Sequence, residues 1–135
     1  MDTITKVNHL SFSQDLGGKN AFSIKLTDKK LDDVSGAKLL GKVESWVAAN
    51  VMMNEKSLPV LIIDMENVEF INTDGLRQLL GALRLMKAQN SNLLLCSVQP
   101  SVRLVFEISM VDQMLAILPS FDAVTKLGTL QEQFV

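Results

Sequence analysis

The residues of this sequence best placed to do chemistry lie in one stretch ahead of a strongly patterned helix. Asp64-Met65-Glu66-Asn67-Val68-Glu69-Phe70-Ile71-Asn72-Thr73-Asp74 carries three carboxylates in alternation with apolar residues, then Asn, Thr and Asp in succession before Gly75. Asp64, Glu66 and Glu69 look like an acidic cluster, but no nucleophile or base accompanies them, so a solvated loop is the expectation. Thr73 is different, because Leu76, Leu79, Leu80, Leu83 and Met86 follow at helical spacing. A hydroxyl at the start of a helix meets free N–H groups and the positive end of the helix dipole. Thr73 or Asp74 is therefore expected to cap this helix, a role worth about 0.5–2 kcal/mol relative to Ala. The same hydroxyl can also accept a phosphate, whose charge of about −1.5 to −2 a helix N-terminus tolerates. The added charge would sharply change what a partner meets.

The other reactive types stand apart. Cys96 is the only cysteine and lies within Leu93-Leu94-Leu95-Cys96, the setting of a buried, inert thiol. His9 is the only histidine, and with a single Cys it provides no zinc-ligand set. No Gly-rich phosphate loop and no nucleophile–base pair can be traced. Catalysis is not expected, and neither is a cofactor.

Around this stretch the chain alternates strand and helix patterns. A weak alternation over residues 8–12, then Gly17-Gly18, then alternating Phe22, Ile24 and Leu26 predict an N-terminal hairpin. Asp32, Asp33 and Ser35 are suitable N-caps for a helix with Ala37, Leu40, Val43 and Val47 on its inner face, widened by Leu39 and Trp46, that ends near Asn50. A loop over residues 54–57 leads to Pro59, which opens the aliphatic run Val60-Leu61-Ile62-Ile63, a central strand. The Leu-rich helix after Thr73 breaks at Asn90-Ser91-Asn92, and residues 93–98 form another buried strand. Pro100 and Ser101 begin a shorter helix with Val102, Val105 and Phe106 on one side. Residues 114–118 are expected to form a last strand, and Ser120 to cap a final helix with Val124 and Leu127 that ends at Gly128. This order predicts an α/β fold, a small mixed sheet with an N-terminal hairpin and helices packed against it.

The totals agree with one domain over residues 1–130 and a short polar tail over 131–135. The chain has 135 residues, 47% hydrophobic but only 5% aromatic, so its core must be aliphatic. A net charge of −2, with its cations dispersed, argues against direct nucleic-acid binding. The start, Met1-Asp2-Thr3-Ile4-Thr5-Lys6, does not lead from basic residues into an apolar stretch, and no run reaches the ~20 residues that span a bilayer. A cytoplasmic protein without membrane insertion is expected.

Val60-Leu61-Ile62-Ile63-Asp64 followed by Val68-Glu69-Phe70-Ile71-Asn72-Thr73-Asp74-Gly75-Leu76 resembles the signature of the STAS domain family, which includes the anti-sigma-factor antagonists. There a hydrophobic strand leads to a segment close to Val-x-Phe-Ile-Asp-Ser-Ser-Gly-Leu. Leu31-Asp32, Ser97-Val98-Gln99-Pro100-Ser101-Val102 and Phe106-Glu107-Ile108-Ser109 are similar to family motifs elsewhere, so the resemblance runs from about Phe22 to Gly128. It implies a protein that binds a serine/threonine switch kinase doubling as an anti-sigma factor, with a PP2C-type phosphatase reversing the phosphorylation. The acceptor position falls on Thr73. Asp32, Asn72, Asp74, Gly75 and Leu76 join Thr73 as the implied partner-binding residues. Asn72 stands where the family usually has Asp, which removes a carboxylate beside the acceptor. Asp74 stands where a second Ser is common, and its fixed charge could imitate phosphorylation. Met110 occupies a place where many members have Gly, which predicts a different turn. Some members bind a nucleotide, and no separate motif here supplies such a site.

Two other functions fit less well. A receiver domain phosphorylated on aspartate needs an acidic pair after its first strand and a Lys after a late one. Leu26-Thr27-Asp28 and Val98-Gln99-Pro100 offer neither. A STAS module that is not phosphorylated, serving as a scaffold or a transport-system subunit, remains the alternative.

Overall fold

Val60-Leu61-Ile62-Ile63 shows no alternation because this strand is covered on both faces. The computed structural model describes residues 4–6, 21–52 and 58–118. In chain order the strands are β1 (Thr5–Lys6), β2 (Ala21–Lys25), β3 (Lys30–Leu31), β4 (Val60–Asp64), β5 (Phe70–Ile71), β6 (Leu93–Cys96) and β7 (Ala116–Leu118). The helices are α1 (Asp33–Met52), α2 (Thr73–Ala88) and α3 (Pro100–Ile108), and a 3-10 turn spans Val111–Gln113. The main sheet runs β1-β2-β4-β6-β7. β4 pairs in parallel with β2 (Ile24 opposite Ile63) and with β6 (Ile63 opposite Leu95), while β1 is antiparallel to β2.

The two-residue pleat sorts the side chains onto two faces. Ile24, Leu61, Ile63, Leu93 and Leu95 join the main core, which also takes Leu39, Val43 and Val47 of α1. Leu79, Leu83 and Met86 of α2 and Val102 and Phe106 of α3 complete it. Ala21, Val60, Ile62, Leu94 and Cys96 form a smaller buried cluster. The mixed α/β fold expected from the sequence is therefore present. None of the described helices is long and apolar enough to cross a membrane.

Several details differ from expectation. Ala37 is exposed and Gly36 is buried in its place, because α1 turns its glycine toward α2. Asp64 is not part of a solvated loop. It is the last residue of β4, 8% exposed, and its carboxylate accepts the Glu66 N–H at 3.0 Å. The stretch after it is not wholly loop either, since Phe70–Ile71 pairs in parallel with Lys30–Leu31 as a second, two-stranded sheet. Met110 takes φ 58, the left-handed conformation that Gly favours, so α3 still ends in a glycine-type turn despite the larger side chain. The expected strand over 8–12, the Gly17-Gly18 turn, the loop at 54–57, the helix from Ser120 and the tail lie outside the described residues.

Candidate functional site

The second sheet sets the geometry around Thr73. The Glu69 and Phe70 N–H groups both donate to the Lys29 carbonyl, at 2.7 and 3.1 Å, and the Asn72 N–H donates to the Leu31 carbonyl at 3.2 Å. β5 thus stays attached to β3 until Asn72, and only then can the chain turn into a helix. Asn72 keeps an extended backbone (φ −107, ψ −178), and its side-chain oxygen accepts the Gly75 N–H at 2.8 Å. That is the geometry of an N-cap bonding to the third helical residue. The cap is therefore Asn72, which corrects the expectation that Thr73 or Asp74 would serve.

With Asn72 capping, Thr73 becomes the first residue of α2. It is exposed, and among the described residues no hydrogen bond engages its hydroxyl. Asp74 follows, also exposed, with its carboxylate 3.3 Å from the Arg77 guanidinium one turn on. Replacing a capping Asp by Asn72 costs the helix little, since the two residues cap about equally well.

Gly75 and Leu76 belong to the site as supports. Both are buried, Leu76 at 8% exposure. A Cβ on Gly75 would sit 2.0 Å from the Leu31 carbonyl oxygen, because α2 begins pressed against the end of β3. Gly36 of α1 lies against the same turn, its own notional Cβ 3.3 Å from the Gly75 Cα. These two glycines let the first turns of α1 and α2 lie side by side.

Asp32 stands at the start of α1, next to this contact. Its carboxylate accepts the Val34 and Ser35 N–H groups at 3.1 and 3.0 Å, with the Ser35 hydroxyl also at 3.0 Å. Hydrogen bonds from Ser35, foremost among these, hold the Asp32 carboxyl below its ordinary pKa. The structure thus brings Asp32, Asn72, Thr73 and Asp74 to one end of the molecule, where two capped helices begin. Sequence reasoning missed the role of Leu31 as the seat for α2. The available signal was Gly75 itself: a Gly early in a good helix costs up to about 1 kcal/mol relative to Ala and implies close approach.

Two further residues resolve plainly. Cys96 is fully buried, and desolvation pushes its thiol up to about 12, which leaves it protonated and inert. Glu66 pairs with Lys25 at 3.0 Å on the surface, whereas the Asp64 carboxylate turns to the Glu66 N–H.

With this geometry in hand, comparison with known proteins is informative. A family model described as the STAS domain matches residues 18–125. BtrV of Bordetella bronchiseptica, provisionally named an anti-sigma factor antagonist, is 33% identical over 94 residues, which is 64% of this chain and 78% of that protein. Among solved structures, the anti-sigma factor antagonist SpoIIAA in its unphosphorylated form covers 100% of both chains, with a TM-score of 0.61 and 14% identity. The phosphorylated form of SpoIIAA, a Bacillus cell fate determinant, covers 94% of this chain and 99% of its own, with a TM-score of 0.61 and 16% identity. An RsbS variant from Moorella thermoacetica covers 98% and 97%, with a TM-score of 0.64 and 16% identity. At such identities the solved structures establish a shared fold.

Proposed function

This chain belongs to the STAS domain family, and from that membership we propose that it is a phosphorylation-switched interaction module of the anti-sigma-factor antagonist type. It works by binding. Its partner is a serine/threonine switch kinase that doubles as an anti-sigma factor, and phosphorylation of Thr73 releases the pair. A PP2C-type phosphatase restores the binding form.

The observation that carries this reading is the free, exposed Thr73 hydroxyl at the first position of α2, with capping left to Asn72. Phosphate added there neither removes the cap nor breaks a described hydrogen bond. The helix dipole favours its charge locally, while a partner seated on that helix end meets about two new negative charges. Likeness to SpoIIAA, solved with and without phosphate, supports the reading at the level of fold. The half-buried Asp32 and Asn72 and the exposed Asp74 form the rest of the contact surface.

The direct test pairs the chain with the switch kinase of its own organism and ATP, with phosphate located by mass spectrometry. Phosphate on Thr73, lost in Thr73→Ala, is expected. Pull-downs with Thr73→Ala and Thr73→Glu should then differ, the second variant failing to retain the kinase. Phosphate on another residue, or none, would sink Thr73 as the switch and favour an unphosphorylated scaffold or transport-system subunit.

A further inference from the structure

Beside the Thr73 site the surface carries a concentration of positive charge that the switch does not use. Lys29, Lys30 and Lys38 line an open depression of about 370 Å3, together with Asp28, Asp32 and Ser35. The chain as a whole has 13 Lys and Arg against 15 Asp and Glu, so this gathering runs against its net charge. The Asp32 carboxylate stays ionised, but it is turned onto the Val34 and Ser35 N–H groups of its own helix and makes no described ion pair with these lysines. Asp28 is the one other carboxylate in the lining.

The hydrogen bonds around β3 restrict how anything can bind there. The Lys29 and Leu31 carbonyls accept from the 69–72 segment, which leaves the Lys30 carbonyl and the Asp32 N–H on the outer edge. Ser35 closes that edge: its hydroxyl accepts the Asp32 N–H at 2.9 Å and donates toward the Lys30 carbonyl at 2.7 Å. Strand addition by a partner is thereby blocked. What the depression offers instead is three ammonium groups, each a compact point charge able to meet a carboxylate without strict geometry.

We propose that this depression docks an acidic segment of the partner protein, its carboxylates meeting Lys29, Lys30 and Lys38 while the same partner engages the start of α2. The inference rests on the interaction-module reading, but not on phosphorylation of Thr73. A long polyanion fits less well, because the net negative chain repels it beyond the three lysines. A short acidic segment meets three lysines against the two carboxylates Asp28 and Asp32. Charge pairing of this kind chiefly speeds encounter and selects the partner.

The experiment titrates the full chain, labelled with 15N, with an end-blocked octaglutamate peptide and follows the amide resonances. Shifts concentrated in residues 28–38 are expected. Reversing all three charges (Lys29→Glu, Lys30→Glu, Lys38→Glu) should raise Kd at least about tenfold, as should increasing salt from about 50 to about 300 mM. If the triple reversal fails to fold, the triple Lys→Gln variant takes its place. Lys87→Glu should bind the peptide normally, and the titration uses the unphosphorylated chain without a kinase, so failure here is separable from failure of the switch. An unchanged triple variant, or shifts spread equally to Lys87, overturns the proposal. Tighter response to inorganic phosphate would make the depression a small-anion site instead. Preference for octathymidylate or phosphatidylglycerol vesicles over the peptide would overturn it as well.

Discussion

The first turns of α1 and α2 lie side by side, and they use their hydroxyls in opposite ways. At α1 the cap is the carboxylate Asp32, and the neighbouring hydroxyl, Ser35, is drawn into the structure. It accepts from the Asp32 N–H and donates toward the Lys30 carbonyl, sealing the edge of β3. At α2 the cap is the neutral amide Asn72, and the neighbouring hydroxyl, Thr73, stays in solvent. Two ends with similar residues thus differ in availability. A hydroxyl bound by the backbone is poorly placed to be modified, whereas one that only begins a helix can change charge without changing the fold.

The largest expected effect comes from forcing the two ends apart. Gly75→Ala places a Cβ against the Leu31 backbone at 2.0 Å, which the rigid carbonyl cannot accommodate. A loss of about 3 kcal/mol or more in urea denaturation is expected. Gly36→Ala meets mainly the Gln78 side chain at 3.0 Å, which can move, so a distinctly smaller loss is expected. Equal losses would show that the seat of α2 on β3 is not the tighter contact.

Removing a cap should have an intermediate effect. Asn72→Ala is expected to cost about 1 kcal/mol, measured the same way, with the fold retained. The two caps should also part company with pH. Asp32 has a lowered pKa in the folded state, so its contribution is fully present above its ordinary value of 3.8 and fades as pH falls through the folded value. The Tm difference between the natural chain and Asp32→Asn should therefore shrink as pH drops below about 4. The Asn72→Ala difference should not follow that trend, and if it did, the contrast in cap chemistry would be wrong.

The hydroxyls themselves give a finer comparison. Ser35→Ala should lose about 1 kcal/mol, because it strips partners from the Lys30 carbonyl and the Asp32 N–H. Thr73→Ala should stay within about 0.5 kcal/mol in the same denaturation while abolishing phosphorylation. Asp74→Ser should change least of all in stability, since its pair with Arg77 is exposed. Its value lies in partner affinity. Tighter kinase binding by Asp74→Ser would mean that the native carboxylate acts as a partial phosphate mimic, and an unchanged affinity would remove that idea.

Much of the frame could be read from the chain. β4, β6, α2 and α3 are marked by unbroken apolar runs or by helical spacing, and each sits where that pattern placed it. β3 and β5 were not legible, because two residues are too short to show a period and their pairing spans about forty positions. The exposure of Ala37 was hidden for a related reason. Which flank of an apolar stripe turns inward depends on the neighbouring helix, and here Gly36 is what lets α2 approach. At Met110 the residue type pointed to an altered turn, yet the helix end imposed φ 58 on a side chain that ordinarily avoids it.

The sequence by itself determined that the strongest helix of an α/β domain begins close to Thr73, since the Leu spacing after it allows little else. It did not determine which of Asn72, Thr73 and Asp74 would cap that helix, because all three are chemically able to. Tertiary structure made the choice. The Leu31 carbonyl holds the Asn72 N–H, so the chain stays extended through Asn72 and the helix starts one residue later. A hydrogen bond from β3, distant in sequence, is thus what leaves the Thr73 hydroxyl free.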